Sequence, residues 1–369
     1  MTNGLLPEGL RDRLPPYADA ADTLLRAVSD TIRAHGYRRV EPPLAEFEEE
    51  LAGRLTGTGK SDLFRLIDPV SQRTLALRPD ITAQIGRIVT TRLAHAARPL
   101  RLGYGGATLK LRSTQLRPER ELIQTGAELI GTDSTPAAIE IILLALDALA
   151  AAGVSKITVD LTLPNLVETL AAKTIPLAPA KIDAVRARLD AKDAGGLTAL
   201  GAEAYLPLLA ATGRLPDALQ HLRQIDSGHA LDARLNAIEQ IAAAIGDRAR
   251  VTLDPTERHG FEYQSWLGFS FFADGIIGEI GRGGSYMIRH TEGNEEQAIG
   301  FSLYLDPLVD AGFGQRDAKR VFIPLAAPQG AAVRLRSEGW ETVAALSDQD
   351  NAAALECTHI LRDGMPQPL

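Results

Sequence analysis

The sequence has one cysteine, Cys357, among 369 residues, so no intrachain disulfide can staple it. Its seven histidines include no pair at helical metal-ligand spacing, and no Cys and His set stands at zinc-finger spacing. No metal and no cofactor is therefore expected. Excess positive charge is also missing: the formal net charge is −8 and the pI is about 5.5, so the average field repels phosphate backbones and tRNA binding is not expected. An uninterrupted apolar stretch of membrane length is lacking too. The most apolar run, AAIEIILLALDALAAAGV from Ala137, contains Glu140 and Asp147 at helical periodicity and reads as a core helix. The first twenty residues carry acids and prolines without a signal-peptide core, so a cytoplasmic protein with no membrane contact is expected. No repeat or low-complexity tract is present.

What is present is an ordinary globular composition, 45% hydrophobic and 23% charged, long enough for one large α/β domain with additions. Residues 18–36 have apolar positions at helical spacing and stop at Gly36. The segment AEFEEELAGRL reads as an acidic helix. FRLIDP and TLALRPD read as strands, ITAQIGRIVTTRL as a helix, and RPLRLGYGGATLKL with RELIQTGAELIG as a long antiparallel pair. After the helix from Ala137 and the strand KITVDLTL, residues 172–250 are rich in Ala and Leu and look like a helical insertion. Strand patterns resume at RVTLDP, continue through YQSWLGFSFFADG and IIGEIGRGGSY, and close with QAIGFSLYLDPLV. Beyond Gly314 lies a short α/β tail of about fifty residues.

Several local motifs carry little. GRLTGTGKSD, Gly53 to Asp62, has five residues between its first Gly and the Gly-Lys pair where a phosphate loop needs four, and it follows an acidic helix instead of a buried strand. GRGGSY, Gly281 to Tyr286, lacks the third glycine of a dinucleotide fingerprint and reads as a tight turn near a ligand. Arg98, Arg101, Lys110, Arg112, Arg117 and Arg120 crowd a stretch with one acid, Glu119. That run suits either a phosphate-attracting surface or an exposed charged hairpin.

The distributed pattern says more. PEGLRD at Pro7, GYRRVEPPLAEFEE at Gly36, LRPDIT at Leu77, RELIQTGAELIG at Arg120, RHGFEYQ at Arg258, RGGSY at Arg282 and AIGFSLYLDPL at Ala298 follow one another in an order and spacing that resembles the class II aminoacyl-tRNA synthetase core of the histidyl type, over roughly Leu5 to Val309. The resemblance implies an α+β fold: an antiparallel sheet flanked by helices over residues 1–315, with the helical insertion at about 172–250 and a small C-terminal α/β appendage at 316–369. It implies a homodimeric core with Pro43 at the interface, and a histidine pocket made by Asp80, Thr82, Gln124, Glu128, Tyr263 and Tyr286. The chemistry of these residues suits that ligand. An ammonium needs an anion and neutral acceptors, an imidazole N–H needs a second acceptor, and alternation along a strand puts Gln124, Gly126 and Glu128 on one face.

The departures from the synthetase pattern concern phosphate chemistry. The family's second-motif arginine is Lys110 here, its neighbouring acid is Arg112, the third-motif arginine is Pro307, and the family's own catalytic arginine falls on His259. Arg258 stands one residue early, which on an extended strand points it to the opposite face, and Gln264 replaces the second tyrosine of the histidine motif. Each lost transition-state donor costs about two to three orders of magnitude in rate, so no catalytic residues are assigned and no aminoacylation is expected. Lys110, Arg112 and His259 remain as candidate ligand or partner contacts. An amino-acid pocket without adenylation chemistry, followed by a curtailed tail, resembles the regulatory subunits of ATP phosphoribosyltransferase, which are histidyl-synthetase paralogues. That resemblance implies a hetero-oligomer with the short-form catalytic subunit, which this type of chain activates, and feedback inhibition by histidine. The alternatives are a divergent histidyl-tRNA synthetase or related amino-acid ligase, in which Lys110 or Arg258 supplies the missing charge, and a non-catalytic tRNA-binding factor.

Overall fold

A computed structural model describes residues 5–52, 63–112, 118–258, 264–290, 293–317, 319–328 and 330–369. The chain divides into two compact units, Met1–Gly314 and Gln315–Leu369.

The first unit opens with helix α1 (Tyr17–Ala34). Leu24, Val28 and Ile32 of α1 recur at helical spacing and are buried, each removing apolar surface worth about 1.5–3 kcal/mol. The short strands β1 (Arg38–Arg39) and β2 (Ala45–Phe47) lead to α2 (Glu48–Ala52), so the segment expected as one acidic helix begins as a strand. The cause is pairing: Ala45, Glu46 and Phe47 face Leu77, Ala76 and Leu75 in a three-stranded sheet made with β3 (Phe64–Ile67) and β4 (Thr74–Leu77). That tertiary pairing outweighs the helix propensity of the glutamates. Helix α3 (Thr82–Thr91) follows, then the long hairpin of β5 (Leu100–Leu109) and β6 (Glu121–Ile130).

Helix α4 (Thr135–Ala151) is the apolar run noted in the sequence, and most of its leucines, isoleucines and alanines are buried. Strand β7 (Ile157–Thr162) and α5 (Leu166–Lys173) precede a helical stretch comprising α6 (Ile182–Asp190), α7 (Ala194–Ala199), α8 (Leu215–Ile225) and α9 (Asp232–Ile245). This stretch is not purely helical, because β8 (Gly213–Arg214) returns to the main sheet and pairs with β9 (Ala249–Leu253). Strands β10 (Gln264–Ala273), β11 (Gly281–Arg289) and β12 (Glu295–Tyr304) complete that sheet, and α10 (Asp306–Asp310) closes the unit. Among the described residues the sheet has nine strands, ordered β1-β5-β6-β12-β11-β10-β7-β9-β8 and antiparallel at its centre.

Two faces follow from the alternation of side chains along each strand. Ala127, Leu129, Phe269, Phe271, Ile299, Phe301 and Leu303 turn toward α1 and α4 and form the main core. Leu102, Tyr104, Ile130, Tyr286, Ile288 and Ala298 turn the other way and pack with Ile81, Ile85 and Val89 at α3. GRGGSY lies inside β11 and is not a turn. Its glycines serve close packing: a Cβ at Gly283 would collide with the Gly300 carbonyl and the Phe269 ring.

The second unit is a four-stranded sheet ordered β14-β13-β15-β16 from β13 (Arg320–Ile323), β14 (Glu341–Ala344), β15 (His359–Arg362) and β16 (Met365–Pro368), with helix α11 (Ala331–Ser337). Val321, Ile323, Leu335 and Leu361 form one small core, and Phe322, Ala352 and Cys357 another.

Candidate functional site

The face of the main sheet toward α3 carries polar groups deep inside an apolar layer. Gln124 and Glu128 of β6 are both buried and share that face with Gly126. Tyr104, the cross-strand partner of Gly126, donates its hydroxyl to Glu128 Oε1 at 3.1 Å, and Tyr286 of β11 donates to Oε2 at 2.9 Å. Two further groups join them: the Tyr104 hydroxyl lies 2.8 Å from Ser302 Oγ and 3.3 Å from Thr82 Oγ1. At the other end Gln124 Nε2 donates to Ser302 Oγ (2.7 Å) and Asp80 Oδ2 (2.8 Å), while Gln124 Oε1 accepts from the Ile81 amide. Asp80 stands just before α3 and accepts from the Thr82 amide at 2.7 Å, so the entry of that helix fixes its carboxylate.

Burial decides the electrostatics. Removal from water pushes the Glu128 carboxyl up to about 8; the Tyr286, Tyr104 and Thr82 hydroxyls oppose that rise, and nearby Asp80 adds to it. Burial likewise raises the Tyr104 phenol, with the Glu128 charge second. The site is thus a buried acceptor carboxyl at one end and an anion with an amide at the other. Such an arrangement suits a ligand carrying a ring N–H and an ammonium.

Glycines make room for it. A Cβ on Gly300, the partner of Glu128 across β12, would fall on the Glu128 carboxylate, and one on Gly126 would meet the Phe301 carbonyl and the Tyr104 hydroxyl. The row crossing the sheet from Glu128 continues through Gly300, Gly284 and Gly268, so no side chain rises from the floor along it.

The structure brings Asp80, Thr82, Gln124, Glu128 and Tyr286 into this cluster. Tyr263 and His259 lie outside the described residues, as do Arg117 and the GRLTGTGKSD segment. Lys110 is placed just past β5, its ammonium 5.5 Å from the centre of the Tyr304 ring, and Arg112 is exposed beyond it. Three of the described members of the basic run have separate partners: Arg98 pairs with Glu296, Arg101 with Glu140, and Arg120 donates to the Glu8 carbonyl and stacks over Phe64. Tyr104 and Ser302 are site residues that the sequence reading missed. Their period-two spacing with Leu102 and Gly300 was the available signal, but it identifies them only once the strand register is known.

Beside the cluster, near the ends of β6 and β12, lies a cavity of about 330 Å³ lined by Leu122, Tyr304, Pro307, Glu119, Asp306 and Asp310 among others. Its charged liners are all carboxylates. Asp306 is buried, accepts from the Ile123 amide at 2.7 Å and pairs with Arg13, while Arg11 bridges Asp310 and Glu119. Desolvation raises the Asp306 carboxyl. A polyphosphate there would meet anions, with the nearby arginines already paired.

Comparison with known proteins places this geometry. A family model described as histidyl-tRNA synthetase matches residues 9–308. A protein of Rhodospirillum centenum named ATP phosphoribosyltransferase regulatory subunit is 39% identical, covering 99% of this chain and 96% of its own. One of Paramagnetospirillum magneticum with the same name is 40% identical over 93% of this chain and 90% of its own. Among solved structures, a Bacillus halodurans protein titled ATP phosphoribosyltransferase regulatory subunit/histidyl-tRNA synthetase superposes with a TM-score of 0.79 at 23% identity, covering 96% of each chain. Histidyl-tRNA synthetase from Nostoc does so at 0.77 and 15%, covering 96% of this chain and 89% of its own, a likeness of fold alone. With the family model matching most of its length and near-full-length relatives carrying one name, the chain belongs to the ATP phosphoribosyltransferase regulatory subunits, a branch of the histidyl-tRNA synthetase family with the class II fold.

Proposed function

We propose that this protein is a cytoplasmic, non-catalytic subunit that binds histidine at the Glu128 cluster, assembles through a homodimeric core with a short-form ATP phosphoribosyltransferase catalytic subunit, raises that subunit's activity, and transmits inhibition by histidine. The single cysteine fits a reducing compartment. One contrast carries the reading. The groups suited to an ammonium and an imidazole are mutually ordered, with Gln124, Glu128 and Tyr286 buried and Asp80 half-buried beside them, whereas the adjoining cavity presents Pro307 and three carboxylates where adenylation needs cations.

Regulation then requires histidine to have unequal affinity for two states of the assembly, since a ligand that binds both equally shifts neither. The test is reconstitution. The purified chain added to a short phosphoribosyltransferase is expected to raise its turnover, and histidine to reverse that gain in the wild-type complex but not in a complex carrying Glu128→Ala. Activity that is indifferent to the added chain refutes the subunit role. Equal inhibition of both complexes refutes the site.

A further inference from the structure

We propose that Arg282 is the residue that receives the carboxylate of the bound amino acid. The assignment rests on the amino-acid reading of the Glu128 cluster and deepens it. A free amino acid brings a carboxylate as well as an ammonium, and the Asp80 carboxylate of the cluster, suited to the ammonium, repels that end. A cation must stand within reach for a zwitterion to be held more tightly than a simple amine.

Strand register puts one there. Arg282 of β11 is the cross-strand partner of Ser302 of β12, and directly opposed residues share a face. Ser302 Oγ is the group that touches both Gln124, at 2.7 Å, and Tyr104, at 2.8 Å. Arg282 therefore flanks the cluster on the side away from β5. The neighbouring row, between Glu128 and β10, holds only Gly300 and Gly284, so no side chain rises from the sheet along it. The side chain is 20% exposed and is paired with Glu279, itself largely buried and accepting from Ser270 Oγ at 2.8 Å. That pair orients the planar fork. With five donors a guanidinium can serve one protein carboxylate and one from a ligand.

The other nearby cations are placed differently. Arg78 donates to the backbone carbonyls of Ala107 (2.7 Å) and Pro42 (2.8 Å), and Lys110 lies over the Tyr304 ring beyond the end of β5.

The test is calorimetric titration of the full chain with L-histidine and with histamine, which keeps the imidazole and the ammonium but lacks the carboxylate. The wild type is expected to prefer histidine by roughly tenfold to a hundredfold, the range for one charge-assisted hydrogen-bonded contact. Arg282→Gln combined with Glu279→Gln, which removes both charges of the pair together, is expected to bring the two Kd values together while leaving that of histamine unchanged. Glu279→Gln alone is expected to keep the preference, and Arg282→Lys to restore part of it. A purely structural role would weaken both ligands alike. An undiminished preference in the double variant, or a collapse produced instead by Lys110→Met, overturns the assignment. Failure of the wild type to bind either ligand removes the amino-acid pocket itself, and the assignment with it.

Discussion

Replacing Glu128 by glutamine should make the protein more stable and less able to bind histidine, and the stability gain should depend on pH in a defined way. Glu128 is buried, and its carboxyl is raised from 4.5 to about 8, chiefly by desolvation. Below pH 4.5 it is protonated in both the folded and the unfolded chain and adds no pH dependence. Between 4.5 and 8 the unfolded chain has released the proton that the folded chain retains, so stability falls as pH rises, by about 1.4 kcal/mol per pH unit. Above 8 both forms are ionised and the loss is complete, on the order of 5 kcal/mol in total. For a unit spanning Met1–Gly314 that corresponds to a shift of roughly 5–10 °C in Tm, from the usual unfolding entropy per residue. Glutamine keeps the shape of the side chain, and the Tyr104 and Tyr286 hydroxyls can bond to its amide. Thermal melts of wild type and variant from pH 5 to pH 9 should therefore diverge up to about pH 8 and run parallel above it. A constant difference across that range would show that Glu128 titrates normally, and the case for a desolvated acceptor would fail.

Other perturbations test neighbouring steps. Gly300→Ala forces the Glu128 carboxylate from its place, which should cost about 1–3 kcal/mol and abolish histidine binding; melts and calorimetric titration check both. Tyr286→Phe removes a donor that holds the Glu128 carboxyl down, so the pH at which the melts become parallel should move upward in the same series. A chain ended at Gly314 keeps both core clusters that surround the site, and it should bind histidine with unchanged affinity; loss of binding would show that residues beyond Gly314 are needed to build the pocket.

The shared face of Gln124 and Glu128 was legible in the sequence because its signal is local. Gln124, Gly126 and Glu128 alternate within one strand, and alternation alone puts them on a single face. What depended on pairing was not legible. Tyr104 reaches Glu128 because Leu102 and Tyr104 register against Glu128 and Gly126, and nothing inside RPLRLGYGGATLKL states that register. GRGGSY reads as a turn because glycine is the common turn residue, whereas in the fold its glycines admit the neighbouring strand and an aromatic ring. The glutamates of AEFEEE favour a helix, yet the first part of that segment is drawn into a small sheet with β4. In each case a contact distant in sequence outweighed a local preference.

If this fold holds an amino-acid pocket without the charges that make an adenylate, histidine binds and no adenylate forms. The most direct measurement is histidine-dependent exchange of pyrophosphate into ATP by the purified chain, at a histidine concentration that titration shows to saturate the site. We predict binding without exchange above the protein-free background. Exchange that requires histidine and disappears in Glu128→Ala would contradict the account.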